Sequence, residues 1–221
     1  MKKQFPEKRL LIIITGGPGT GKSGIADRLL AFLDDPEIER ISYDEIKERE
    51  FDRFGFDDEA DKDRLNSFSL EEFYLILKKA MWEDKTILIE YPFYQRHKPK
   101  LQELIEKYSY DAATVLLYTD MKTVYERFIT RNDGKRHPGH LLNRYHIEDF
   151  DPSLLSREKK VPDFEEFTSG IAHKDYDISL GVRIPVDVSD FSDVSFEDIY
   201  EKIVEHQRSK ENCIYSEPFG F

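Results

Sequence analysis

A single cysteine, Cys213, stands among the 221 residues, in the C-terminal tail and far from any other ligand-like cluster. An intramolecular disulfide is therefore excluded, and the usage predicts a reducing, cytoplasmic setting. Long apolar runs are also missing. After the basic Met1-Lys2-Lys3 the chain offers only Leu10 to Ile14 before Thr15-Gly16-Gly17, too short for a signal-peptide core or a membrane span. Positive charge is scarce: 33 Lys+Arg against 45 Asp+Glu leave a net charge of −12. That balance argues against nucleic acid and anionic lipid as partners, since both are attracted by positive potential. A polyanion would need a local basic island. No internal repeat, low-complexity segment or inter-domain linker stands out.

What is present suffices for a well-buried core, because a chain of this length removes roughly 70% of its unfolded surface from water. Leu10-Leu11-Ile12-Ile13-Ile14 reads as a strand buried on both faces, and the apolar spacing from Gly24 to Leu33 as a helix. Further strands are expected at Arg40 to Tyr43, Thr86 to Tyr91, Ala112 to Tyr118 and Val182 to Val188. Helices are expected after Ser42, from Ser69 through Met81, and over Leu101 to Tyr108, Met121 to Arg131 and a segment opened by Ser195. Strands alternating with helices predict an open α/β sheet with right-handed crossovers. The expected organisation is one domain over 1–221, with a glycine- and proline-punctuated lid at about 132–152 and an excursion of unreadable structure at about 153–181.

Gly16-Gly17-Pro18-Gly19-Thr20-Gly21-Lys22-Ser23 fits G-x-x-x-x-G-K-S, and it lies between a strand and a helix, the context that the motif demands. Glycines let backbone N–H groups converge on phosphate oxygens, and the following helix adds the positive end of its dipole. Gly16, Gly17, Gly19, Thr20, Gly21, Lys22 and Ser23 are thus candidate nucleotide-binding residues. Lys22 would reach the β- and γ-phosphates, and Ser23 would hold Mg2+.

Ile12 to Leu30 resembles the opening of P-loop kinases, and Ser42-Tyr43-Asp44 after the second strand resembles their small-molecule and polynucleotide branch, which includes chloramphenicol phosphotransferase-like and zeta-toxin-like enzymes. The resemblance covers most of the chain, with only the P-loop individually specific. It implies an αβα sandwich around a five-stranded parallel sheet of order 2-3-1-4-5, with ATP, Mg2+ and a mobile lid. It also implies that Asp44 faces an acceptor hydroxyl, where a carboxylate can take the proton and orient the oxygen for in-line attack. The same charge would in any case be favourable in the first turn of a helix capped by Ser42.

Glu90 closes the third strand at the sheet's ligand-binding end, where it could hold a Mg2+-bound water or an acceptor hydroxyl. Tyr91 follows it, in a set of aromatics with Tyr43, Phe51, Phe54, Phe56, Phe93 and Tyr94 that could stack on an acceptor or belong to the core. Arg127, Arg131, Arg136 and Arg144 form the basic island that the charge balance requires. Arginines there could neutralise charge on the transferring phosphoryl group; Arg131 and Arg136 are the preferred pair, and Arg127 a further nucleotide contact. His137, His140 and His146 are read as polar lid residues touching acceptor or phosphate rather than as a metal site.

The leading reading is an ATP- and Mg2+-dependent kinase of a small-molecule hydroxyl. The alternatives are a polynucleotide or tRNA kinase, opposed by the acidic charge, and a nucleotide-dependent regulatory module. A guanine-specific switch would want Asn-Lys-x-Asp, which is absent, and Asp52 to Gly55, which has D-x-x-G form, follows the second strand instead of closing the third. Neither the acceptor nor the oligomeric state is legible.

Overall fold

The structure is a computed structural model that describes residues 3–131, 136–158, 162–172 and 174–215, with side chains for all of these except 131, 156–158 and 211–215. In chain order the elements are β1 (Leu10–Gly16), α1 (Lys22–Leu33), β2 (Glu39–Ser42), α2 (Tyr43–Phe54), α3 (Glu59–Trp82), β3 (Ile87–Glu90), α4 (Lys98–Tyr108), β4 (Asp111–Tyr118), α5 (Met121–Arg131), α6 (Pro138–Leu141), α7 (Ser153–Glu158), α8 (Phe164–Ala172), β5 (Val182–Asp187) and α9 (Phe196–Tyr215). The five strands form one parallel sheet of order β2-β3-β1-β4-β5.

Side-chain alternation along β1 divides the core. Leu11 and Ile13 face the layer of α3 and α4, against Phe73, Leu77, Leu101 and Leu104. Leu10, Ile12 and Ile14 face α1 and α9, against Leu29, Leu33, Ile199 and Ile203. All five aliphatic side chains of β1 are wholly buried, each stabilising the fold by roughly 1.5–3 kcal/mol relative to exposure. A strand apolar on both faces thus occupies the sheet's centre, as the uninterrupted run requires. The parallel register sets Ile14 and Ser42 level with Glu90, so the carboxyl ends of β1, β2 and β3 open on one edge.

One expectation needs correction. Ser69 does not cap a helix: α3 begins ten residues earlier, with Asp58 as its N-cap accepting from Asp61 N–H, and the Ser69 hydroxyl bonds back to Leu65 O at 2.7 Å. The spacing of a serine and an acidic residue therefore arose inside a continuous helix, where that hydroxyl has a local carbonyl to bond. The excursion at 153–181, whose structure is unreadable from the sequence, contains α7 and α8, and Phe167 of α8 packs on Tyr125 and Phe128 of α5.

After β3 the chain turns through Gln95–His97, burying His97, whose Nδ1 accepts from Tyr94 N–H. Burial, aided by the adjacent Arg96 charge, lowers the His97 pKa to about 4. The folded form therefore resists a proton that the unfolded chain binds below about 6.5, so this contribution to stability is complete above that pH and is lost as pH falls towards 4. Urea unfolding should show a loss of about 2 kcal/mol between pH 7 and pH 5 that His97→Gln removes. An unchanged pH slope in the variant would refute the assignment.

Candidate active site

The backbone around the motif explains its glycines. Gly21 is the N-cap of α1, at φ 78°, and Gly19 has φ 82°. A Cβ on Gly19 would lie 2.7 Å from Val124 O, and one on Gly21 would lie 2.4 Å from the Phe191 ring. Both positions therefore exclude side chains by conformation and by contact. Gly16, at φ 147°, runs against Leu117 O in the same way, whereas Gly17 has room beside it. The Thr20 hydroxyl turns inward onto Gly17 O at 2.9 Å and is buried, so its side chain braces the loop. Lys22 folds across the loop, its Nζ 3.2 Å from Gly16 O and 2.9 Å from Gly17 O.

The Ser23 hydroxyl donates to Glu90 Oε2 at 2.9 Å. The other carboxylate oxygen, Oε1, receives Arg40 Nη2 at 2.5 Å, and the same guanidinium reaches Glu45 at 3.0 Å and Asp27 at 3.4 Å. Glu90 is buried at the end of β3, so its charge is sustained by these partners. Burial works against the Arg40 charge, but the bond and charge of Glu90 more than offset it and raise the guanidinium pKa. Both Glu90 oxygens are engaged, Oε2 by Ser23 and Oε1 by Arg40, which holds the carboxylate beside the Ser23 hydroxyl. A hydroxyl and a carboxylate suit Mg2+, a hard cation that keeps most of its waters and takes few protein ligands. Sequence reasoning missed Arg40, because a strand arginine reads as ordinary surface until the register places it beside Glu90.

Arg40→Ala leaves Glu90 buried without its strongest partner. The expected results are a stability loss of about 3 kcal/mol and roughly tenfold more Mg2+ needed for half-maximal activity. Denaturant titration and a Mg2+ titration check the two separately, and unchanged values in both would remove Arg40 from the site.

Asp44 lies in the first turn of α2, whose N-cap Ser42 accepts from Glu45 N–H. Its Oδ1 is 2.7 Å from Nζ of Lys47, one turn further on and buried. Burial raises the Asp44 pKa, but the charges of Lys47, His140 and Lys22, with the Lys47 hydrogen bond, outweigh it and hold the group at about 2. Lys47 also lies over the Tyr43 and Tyr91 rings, at 4.9 and 5.0 Å. Lys47 is a second site residue that sequence reasoning passed over, although its spacing of three from Asp44 on a helix was available as a signal.

These groups converge on one cleft of about 400 Å3, walled by Gly19, Gly21, Lys22, Ser23, Asp44, Lys47, Tyr91, Arg127 and Arg136 among others. Arg127 is tethered to Val188 O at 2.7 Å and Ser189 O at 2.9 Å, and its guanidinium stacks 4.1 Å over the Phe191 ring. It therefore offers the cleft a flat cationic wall rather than a mobile arm. Burial lowers the pKa values of Lys62 and His140, and the charge of nearby Arg136 adds to both shifts. The side chain of Arg131 and residues 132–135 of the expected lid fall outside the described residues. Arg144 lies away from the cleft wall, 3.2 Å from Asp57.

The described part of that segment is docked. His137 meets Asp52 at 3.0 Å, His140 meets Glu48 at 3.0 Å, and His146 meets Asp57 at 3.1 Å. Phe51, Phe56, Leu142 and Tyr145 form a small core beneath it. The histidines thus pin the segment to α2 and the turn after it, each ring meeting a carboxylate of the acidic stretch, and His140 also lies near enough for its charge to act on Asp44. Among the described residues, no three His, Cys, Asp or Glu side chains are grouped so as to hold a metal ion. Of the expected aromatics, Tyr43, Phe51, Phe56 and Phe93 are buried, Phe54 is exposed, and Tyr91 and Tyr94 are half-buried, with Tyr91 in the cleft wall. No helix among the described residues is long and apolar enough to cross a membrane.

No protein-family model matches the sequence, and none of the curated proteins matches it. Solved structures do. A protein from Chloroflexus aurantiacus J-10-fl with a provisional kinase designation superposes with TM-score 0.65 at 19% identity, over 92% of this chain and 98% of that one. APE1195 superposes with TM-score 0.52 at 14% identity, over 93% and 98%. A gluconokinase from Sinorhizobium meliloti 1021 aligns over 98% and 100% at 16% identity, with a TM-score of 0.45 too low to carry an argument. Together with the sheet order, the likenesses to the Chloroflexus aurantiacus protein and APE1195 show the fold of this chain, an α/β sandwich around a five-stranded parallel sheet of order 2-3-1-4-5.

Proposed function

We propose that this protein is an ATP- and Mg2+-dependent phosphotransferase of the small-molecule P-loop kinase branch, acting in the cytoplasm and moving the γ-phosphate to an acceptor hydroxyl. The observation that carries the reading is one cleft wall holding both Lys22 with Ser23 and the ionised Asp44. Donor and acceptor machinery in one cavity is what transfer needs and what nucleotide binding alone does not.

In the reaction the acceptor oxygen bonds to the γ-phosphorus, the bond from that phosphorus to the β–γ bridging oxygen breaks, and ADP leaves with the electron pair. Lys22 exchanges its two loop carbonyls for phosphate oxygens, and Arg136 offsets charge at the cleft rim. Ser23 and Glu90 would hold Mg2+, which supplies charge neutralisation across the phosphates. Asp44 orients the acceptor hydroxyl and takes its proton. A carboxylate with a pKa of about 2 is a weak base, so the proton moves late, once bonding to phosphorus has made it acidic. Arg127 and Phe191 provide a surface against which the planar base can rest.

The test is acceptor-dependent ADP formation with Mg2+-ATP across sugars, polyols, amino alcohols and nucleosides. Transfer to one class supports the proposal. Tight ATP binding with no acceptor-dependent turnover would assign the chain to nucleotide-gated binding instead.

A further inference from the structure

A second cavity, of about 680 Å3, shares Lys47 and Tyr91 with the wall of the phosphate cleft. Its size is that of a small-molecule site. Asp44 lines the phosphate cleft but not this cavity, whose other walls include Tyr43, Tyr74, Arg96 and Lys100. In a protein of net charge −12, three cations lining one cavity are a local inversion of sign.

Two of these charges are already answered. Lys47 meets Asp44 at 2.7 Å, and Lys100 meets Glu103 at 2.7 Å. Arg96 is different: it forms no ion pair among the described residues, and its guanidinium stacks 4.7 Å from the centre of the Tyr94 ring. The neighbouring His97 stays neutral at ordinary pH, so the positive charge on this part of the wall belongs to Arg96. A braced guanidinium at a cavity wall is suited to a planar, two-oxygen anion. The remaining walls are polar without being cationic. Burial keeps the Tyr74 and Tyr91 hydroxyls protonated and able to donate, and Asp63 can accept from hydroxyl groups.

We infer that this second cavity is the acceptor site and that the acceptor is a hydroxyl compound bearing an anionic group, a carboxylate or a phosphate monoester. Arg96 holds the anion with Lys100 beside it. The tyrosines and Asp63 hold the hydroxyl-bearing body, and the reacting hydroxyl enters the phosphate cleft past Lys47 and Tyr91 to meet Asp44. The inference rests on the kinase reading above and names its substrate class. Its charge logic also gives an anionic partner to Arg96, which forms no ion pair among the described residues and whose Nε donates to the neutral His97 ring at 3.4 Å.

The experiment uses the full chain saturated with Mg2+ and a non-hydrolysable ATP analogue, so that the P-loop cannot bind the test anion. Calorimetric titrations compare an aldonic acid and a sugar monophosphate with the neutral parent sugar, and a nucleoside monophosphate with its nucleoside. At least one anionic member is expected to bind tenfold or more tightly than its parent, with a preference that weakens as salt rises. Arg96→Gln should erase most of that preference and Arg96→Lys should retain part of it; the side chain is exposed, so neither substitution threatens folding. The carboxylate and phosphate arms identify which anion is taken. Equal affinity for charged and neutral members, no binding of either anion, or a preference that survives Arg96→Gln would each overturn the inference. ADP formation keeps the two readings apart. Transfer confined to neutral acceptors keeps the kinase and removes the anionic acceptor, whereas anion binding at Arg96 without transfer to any acceptor removes the kinase.

Discussion

Lys22→Ala is expected to lower acceptor-dependent turnover by about a thousandfold or more, equivalent to roughly 4 kcal/mol of lost transition-state stabilisation. The lysine rests on the carbonyl oxygens of Gly16 and Gly17, two neutral acceptors in the loop that a phosphate would enter. Exchanging them for charged phosphate oxygens is favourable, and the interaction strengthens as charge spreads over the transferring group. Alanine keeps the loop glycines and the α1 helix, so circular dichroism and thermal unfolding should change little while turnover disappears. Nucleotide affinity should also fall, because the same ammonium contacts the phosphates in the ground state. Turnover within tenfold of the wild type would show that the loop positions the nucleotide without Lys22 and would undo its assigned role.

Asp44→Asn should separate from Lys22→Ala by leaving nucleotide affinity within about threefold while lowering kcat by a hundredfold to ten-thousandfold. Asparagine preserves the shape and most of the packing but cannot take the proton. It also leaves the buried Lys47 ammonium without its 2.7 Å partner, so part of any loss will be structural. A double-mutant cycle with Lys47→Gln isolates that part: if the lysine matters only through its pairing, the double variant recovers stability but not turnover. The pH profile gives an independent check. Since Asp44 is ionised down to about pH 2, it contributes no acidic limb to the activity across the range in which the protein is folded. Its contribution to stability is present above the ordinary carboxylate pKa of 3.8 and is lost only as pH falls through 2. Equal loss of nucleotide binding in Asp44→Asn and Lys22→Ala would sink the acceptor-side assignment.

Much of the architecture was legible because its determinants are local. Five apolar residues in a row leading through Thr15 to glycine fit a doubly covered strand feeding a tight turn, and the loop from Gly16 to Ser23 has its composition because most of its glycines face carbonyls or a ring at distances no Cβ permits. Helix starts at Ser42 and Ser195 were readable from their caps. Ser69 shows where such signals fail: the same spacing inside α3 capped nothing, because a helix already begun at Asp58 runs through it. The segment 153–181 was opaque because α7 and α8 are short and α8 depends on aromatic contacts with α5 that no local pattern encodes.

The site divides along the same line. By itself the sequence determined the phosphate loop, the strand-to-helix frame around it and the presence of Asp44 and Glu90 near strand ends, since each follows from spacing within a few residues. Only the tertiary structure decided which charges meet. Parallel register brought Arg40 of β2 onto Glu90 of β3, and three histidines found carboxylates more than eighty residues away in the chain. Charge is long-ranged and indifferent to sequence order, so composition showed only that cations are scarce; the fold decided that some of them line two adjoining cavities while most of the acidic surface faces elsewhere.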